Sequence, residues 1–168
     1  MPKNVDNLIN IFTKHGGAQH KLWEHLWAKI VLIIKSKKSI DDLIEALNHE
    51  DQAVILEVAE ILGCSGDKKA IPHLKHVLTR NDLWGATAIN TAVALIRLGD
   101  SAGTDFLKQQ IINPEIHRDT RINAARALIR LGFNKIFERN DCINFNGESM
   151  PGDWPKVLEK FVDRLREK

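Results

Sequence analysis

The chain predicts an all-α fold: a right-handed α-solenoid of helix pairs closed by capping helices. Three observations carry this. The hexapeptide ALIRLG occurs at residues 94–99 and again at 127–132. Apolar residues recur at three- and four-residue steps through most of the chain, and no period-two alternation competes with them. The chain also has no Tyr, ten Gly and five Pro, too few turn-formers for a sandwich of many short strands.

Taken in order, residues 5–14 and 19–36 read as two helices separated by HGGAQ, a divergent first pair. Leu22, Trp23, Leu26, Trp27 and Ile30 form its apolar stripe, which Ile33 and Ile34 continue. From there the repeat sets in, and self-similarity of this length is the mark of stacked units. Aligning on the doublet Leu-Gly gives Leu62-Gly63, Leu98-Gly99 and Leu131-Gly132, with spacings of 36 and 33. A second register contains SIDDLIEAL (39–47), AIPHLKHVL (70–78) and GTDFLKQQI (103–111), in which Leu43, Leu74 and Leu107 correspond, as do Leu47, Leu78 and Ile111.

Each unit is thus a shorter helix, a polar turn and a longer helix ending at Leu-Gly. The turns NHED, TRND and INPEIHRD are rich in capping and chain-breaking residues. Pro114 stops the helix before it, and Asp119 stands where an N-cap is expected. The closing glycines fit helix ends that turn left-handed. In the longer helices Ile89, Ala92 and Ile96 match Ile122, Ala125 and Ile129 as the apolar face, and the alanines at 88, 92, 94, 124, 125 and 127 allow close approach. One pair cannot bury such a face alone; stacked pairs can. ALIRLG is therefore stacking surface, with its Arg facing outward. After the loop RNDCINFNGESMPGD, a helix from Trp154 to about Arg166, capped by Asp153, docks Val157, Leu158, Phe161 and Leu165 as a terminal cap.

At 168 residues the chain fits a single domain spanning 1–168, with the divergent pair at 1–38, three repeats at 39–135, and the loop and capping helix at 136–168. Lys plus Arg number 24 against 22 Asp plus Glu, a net charge of +2, which is no whole-chain signature of nucleic-acid binding. MPKNVDNL carries no signal-peptide stretch, and the apolar run from Ile30 to Ile34 is too short to span a membrane. Cys64 and Cys142 form no disulfide framework. A cytoplasmic, reduced protein without a cofactor is the expectation.

The segment DTRINAARALIRLG (119–132) resembles the second helix of HEAT-like repeats, the short variety also found in bilin lyases. The resemblance covers residues 39–135. It implies that Asp119 and Arg121 brace neighbouring turns, as an Asp and an Arg do in those repeats. Ala86 and Ala88 stand at the equivalent places one unit earlier, so an Asp/Arg ladder is broken there. The architecture fixes fold far more than function.

Two surfaces are candidates for binding. Asp119, Asn123, Arg126 and Arg130 lie at steps of four, three and four and make one polar stripe, with Asn90 and Arg97 at equivalent places one unit earlier. Such a stripe is either a polar groove with a basic end or a solvated helix face. Residues 39–67 contain no Lys or Arg but eight acids, among them Asp41, Asp42, Glu45, Glu57 and Glu60. Helix-dipole complementarity explains Asp41 and Asp42. It does not explain Glu57 and Glu60 late in a helix, which suit fast, salt-sensitive docking of a basic protein. Trp84, in RNDLWG, is a surface-anchor candidate or a packed residue.

Catalytic and metal signals are weak. His73 and His76 are three apart but have no third ligand at fixed spacing, and the sequence holds no HExxH, nucleophile motif or phosphate loop. Three functions follow as expectations. The first is a non-enzymatic protein-binding module. In size and charge it is similar in character to the immunity proteins of contact-dependent inhibition systems, some of which block basic nuclease toxins; no motif carries that likeness. The second, implied by the repeat resemblance, is a bilin lyase-like protein handling a tetrapyrrole. The third is a HEAT-like DNA glycosylase using Arg97, Arg126, Arg130 and Trp84, against which the acidic first unit stands.

Overall fold

The structure, a computed structural model, describes residues 40–133. The N-terminal pair with Trp23 and Trp27, the C-terminal helix with Trp154, and Cys142 lie outside them. Six helices and no strand occur among the described residues, as the sequence predicts. Residues 40–45 form α1, which tightens into a 3₁₀ turn at Ala46–Asn48. Then come α2 (Gln52–Ser65), α3 (Ile71–Leu78, after a 3₁₀ turn at Lys68–Ala70), α4 (Gly85–Arg97), α5 (Ser101–Ile112) and α6 (Arg118–Arg130). The contacts fall into two units that divide within α5, between Gly103 and Thr104.

In the first unit, helix pairs pack in the manner of an α-solenoid. Leu43 and Leu47 from α1, Val54, Ile55, Val58, Ile61 and Leu62 from α2, Leu74 and Val77 from α3, and Leu95 and Leu98 around the end of α4 share one core. The longer helices make its spine: α2 packs along α4, which also receives α3. Small residues set the close approach. A Cβ on Gly63 would come within 2.7 Å of the Ala94 Cα, and one on Gly103 would overlap the Ala92 carbonyl oxygen.

Burial corrects the repeat register. Positions 33 apart are buried together: Leu62, Leu95 and Leu128; Ala59, Ala92 and Ala125; and Val58, Thr91 and Ala124. The residues that turn left-handed are Gly66, Gly99 and Gly132, with φ of 73°, 83° and 85°. The first repeat therefore closes at Gly66, and Gly63, the partner chosen by the Leu-Gly doublet, lies one turn inside α2. The spacing is 33 throughout the longer helices, not 36 then 33.

The closures themselves are alike in outline. After α4 the Asp100 N–H donates to the Leu95 carbonyl (2.9 Å) and the Gly99 N–H to that of Ile96 (3.0 Å); after α6, Phe133 and Gly132 donate to Leu128 and Ile129. These are Schellman closures. After α2 a side chain takes over: the Ser65 hydroxyl donates to the Leu62 carbonyl (2.7 Å) and accepts from the Asp67 N–H (3.1 Å).

In the second unit Leu107 and Ile111 of α5 and Ile122, Ala124, Ala125 and Leu128 of α6 are buried, while Ile129 is half-buried. Helix α5 stops at Ile112, two residues before Pro114. The cap of α6 differs from expectation. His117 is the N-cap, its Nδ1 accepting the Asp119 N–H at 3.3 Å, and Asp119 sits inside the first turn. A ring nitrogen two residues upstream reaches the same donor that a capping carboxylate would.

Candidate functional site

At the corrected register the outward face of α2 is Ala53, Glu57, Glu60 and Cys64, in steps of four, three and four. Adding 33 gives Ala86, Asn90, Val93 and Arg97 on α4. Every one of these eight residues is exposed or half-buried, while the opposite sides of both helices are in the core. The stripes lie side by side, because the Arg97 guanidinium donates from Nη1 to Cys64 Sγ at 3.4 Å. Asp119, Asn123, Arg126 and Arg130 form the equivalent stripe of α6, in the second unit; Arg126 is half-buried and the other three are exposed.

The eight acids of residues 39–67 are thereby divided. Asp41, Asp42 and Glu45 are exposed on α1, on the side away from Leu43 and Leu47. Glu57 and Glu60 are half-buried on α2, on the side away from Leu62 and Ile55. Because both helices turn their apolar faces into one core, these two groups of acids leave it in different directions. Asp41 also has Lys69 at 3.8 Å, an exposed pair of little energetic worth. The α2 acids instead join Asn90 and Arg97, which the sequence had assigned to a separate groove.

The edge of this surface is built by turns. Gln52, the first residue of α2, reaches the turn before α4: its Nε2 donates to the Asp82 carbonyl and its Oε1 accepts the Trp84 N–H, both at 2.5 Å. The Thr87 hydroxyl donates back to the Gln52 carbonyl at 3.3 Å, which satisfies a buried polar side chain. Trp84 is the N-cap of α4 and 60% exposed. It is thus a surface residue, not a core one. Arg121, for which the family resemblance implies a bracing role, donates from Nε to the Ile111 carbonyl at 2.9 Å and so ties α6 to the end of α5. Asp119 stays within its own turn, near His117 and Arg118. Where Ala86 and Ala88 break that pattern, Gln52 supplies the brace.

Sequence reasoning missed Gln52, Cys64 and Val93. The available signal was the doublet Gly-Asp, at 66–67 and 99–100, which carries the 33-residue spacing that Leu-Gly obscures. Asp67 and Asp100 also act alike: their carboxylates accept the N–H of Lys69 and of Ala102, each at 2.9 Å.

His73 and His76 lie exposed on α3, and among the described residues no group of three His, Cys, Asp or Glu is placed to hold a metal ion. No described helix is long and apolar enough to cross a membrane.

The family model for HEAT repeats matches residues 26–94. No curated protein matches the chain. The match supports a HEAT-like repeat family and begins at residue 26, before the described residues. Such repeats suggest a protein-interaction module, and modules of this kind are generally non-catalytic scaffolds.

Proposed function

We propose that the chain is a non-enzymatic protein-binding module that docks a basic partner on the outward stripes of α2 and α4. The observation that supports this is the convergence of Glu57 and Glu60 with Asn90 and Arg97 on adjacent helices of one rigidly packed pair. A rigid face loses little conformational entropy on binding. Its mixed acid, amide and guanidinium groups offer directional contacts around a small apolar centre at Val93 and Ala86. This composition fits the polar, adaptable surface of a non-obligate interface.

The finer reading, which the charge segregation favours, is a cytoplasmic immunity or inhibitor protein whose acidic groups cover the substrate-binding surface of a basic toxin domain, a nuclease being one such target. Electrostatic steering then sets the rate of capture.

The test is affinity capture from the native host with this chain as bait, a graded salt wash, and a second bait carrying Glu57→Lys and Glu60→Lys. A stoichiometric protein that is released by salt and lost from the reversed bait is the expected result. Capture of duplex DNA or of a coloured small molecule in its place would turn the reading towards the glycosylase-like or bilin lyase-like alternative.

A further inference from the structure

We infer that the edge formed by the turns before α2 and α4 receives a cationic side chain of the protein partner, with Trp84 as aromatic anchor and the Glu50 and Asp51 carboxylates as counter-charge. This rests on the protein-binding reading above and adds a contact and a chemistry to it.

The indole is exposed yet firmly mounted. Trp84 is the one large apolar side chain so exposed among the described residues. Its backbone is held by Gln52, whose amide bridges the Trp84 N–H and the Asp82 carbonyl. An exposed aromatic ring on a braced turn loses little freedom when it is covered, which is the usual condition of an interface anchor.

Charge selects what covers it. Glu50 and Asp51 immediately precede Gln52, so the contact from Gln52 to Trp84 brings their turn against the indole's turn. Glu50 is exposed, and no Lys or Arg pairs with either carboxylate among the described residues. Asp51 accepts the Ala53 N–H on Oδ1 at 2.8 Å. Arg80 does not offset them, because Asp82 takes it up through two hydrogen bonds of 3.1 and 2.8 Å. The same bonds hold the Asp82 carboxyl below its ordinary value and raise that of Arg80, so this pair stays ionised and locally neutral.

The N-termini of α2 and α4 meet at this edge, and each contributes only about half a positive charge, less together than the two carboxylates. The balance at the edge is therefore negative. A guanidinium or ammonium group can lie over the indole face and pair with a carboxylate at once. An acidic partner would meet repulsion there, and a purely apolar one would desolvate carboxylates without compensation.

The experiment titrates the full chain with a synthetic Arg-Gly repeat peptide and, separately, with a Glu-Gly repeat of equal length, following binding by calorimetry and Trp fluorescence. Trp84→Ala, Trp84→Phe, Glu50→Lys and the double variant Glu57→Lys/Glu60→Lys are compared, with urea denaturation as the check on folding. The expected result is binding of the Arg-Gly peptide alone, weakened about tenfold in Trp84→Ala and in Glu50→Lys and largely kept in Trp84→Phe.

Full affinity in Trp84→Ala, preference for the acidic peptide, or no binding of the basic one would overturn the inference. If Trp84→Ala binds normally while the α2 double variant does not, the edge falls and the protein-binding reading stands. If neither variant changes binding, both fall.

Discussion

Compare α2 with α4 position by position at a spacing of 33. On the buried side Leu62 has its counterpart in Leu95, Ala59 in Ala92 and Val58 in Thr91, all fully buried. On the outward side half-buried Glu57 stands where α4 has Asn90, Glu60 where it has Val93, and Cys64 where it has Arg97. Packing holds the inner positions to a narrow set of volumes, because interiors are close-packed and sensitive to a single methylene. The outer differences are what a binding surface can vary while the fold stays fixed, and they carry the functional reading.

The comparison breaks first in the core. Leu62→Ala and Leu95→Ala remove equivalent, fully buried side chains, and each should cost about 2–5 kcal/mol by urea denaturation. A loss under about 1 kcal/mol at either would show that the two positions are not equivalent. Next come the two glycines of α2. Gly63→Val drives a branched side chain into the Ala94 backbone, 2.7 Å from where even a Cβ would sit, and should cost about 3 kcal/mol. Gly66→Ala meets no neighbour but forces a residue with a Cβ to φ 73°, for about 1 kcal/mol. The reverse order of these two effects would restore the Leu-Gly register.

That pair of glycines also shows how much of the fold was legible. Helix pairs, turns and the closing left-handed glycine follow from hydrophobic spacing and from Gly, Pro and Asp chemistry, and the structure bears them out between residues 40 and 133. The register of the first repeat did not, because two glycines three residues apart both look like closures. The Gly-Asp doublet marks Gly66 in the sequence, but the packing of Gly63 on Ala94, which excludes Gly63 as a closure, spans 31 positions. The N-cap of α6 was misread for a related reason: Asp119 has the stronger capping propensity, yet the helix starts two residues earlier, where the His117 ring accepts the Asp119 N–H. The candidate surface was half legible. Spacing along one helix located Asn90 and Arg97, while their adjacency to Glu57 and Glu60 needed the true register, and the brace from Gln52 to Trp84 leaves no periodic trace.

The smallest effect sharpens the comparison of the turns after α2 and α4. Asp67 and Asp100 make the same backbone bond, but only Asp100 also has Lys75, at 2.8 Å. The hydrogen bond from Lys75, helped by the Ala102 N–H, holds the Asp100 carboxyl below its ordinary 3.8. A carboxylate lowered by folding adds stability that is fully present above that unfolded value and is lost as pH falls through the lower folded one. Asp100→Asn keeps the cap and removes the pair, so it should cost under about 1 kcal/mol at neutral pH, since Lys75 is half exposed. The difference from wild type should shrink in a denaturation series as pH falls below the ordinary 3.8 and vanish below the lower folded value. Asp67→Asn should show a smaller effect or none.

The most direct test of the central claim is the affinity of the captured partner for three forms of the chain at one salt concentration: wild type, Glu57→Lys/Glu60→Lys on α2, and Asp41→Lys/Asp42→Lys on α1. If the stripes of α2 and α4 are the docking surface, reversal on α2 weakens binding by about tenfold or more, and reversal on α1 changes it by less than about threefold. Equal losses from the two variants would mean that the partner senses only net charge, and unchanged binding by the α2 variant would contradict the docking surface outright.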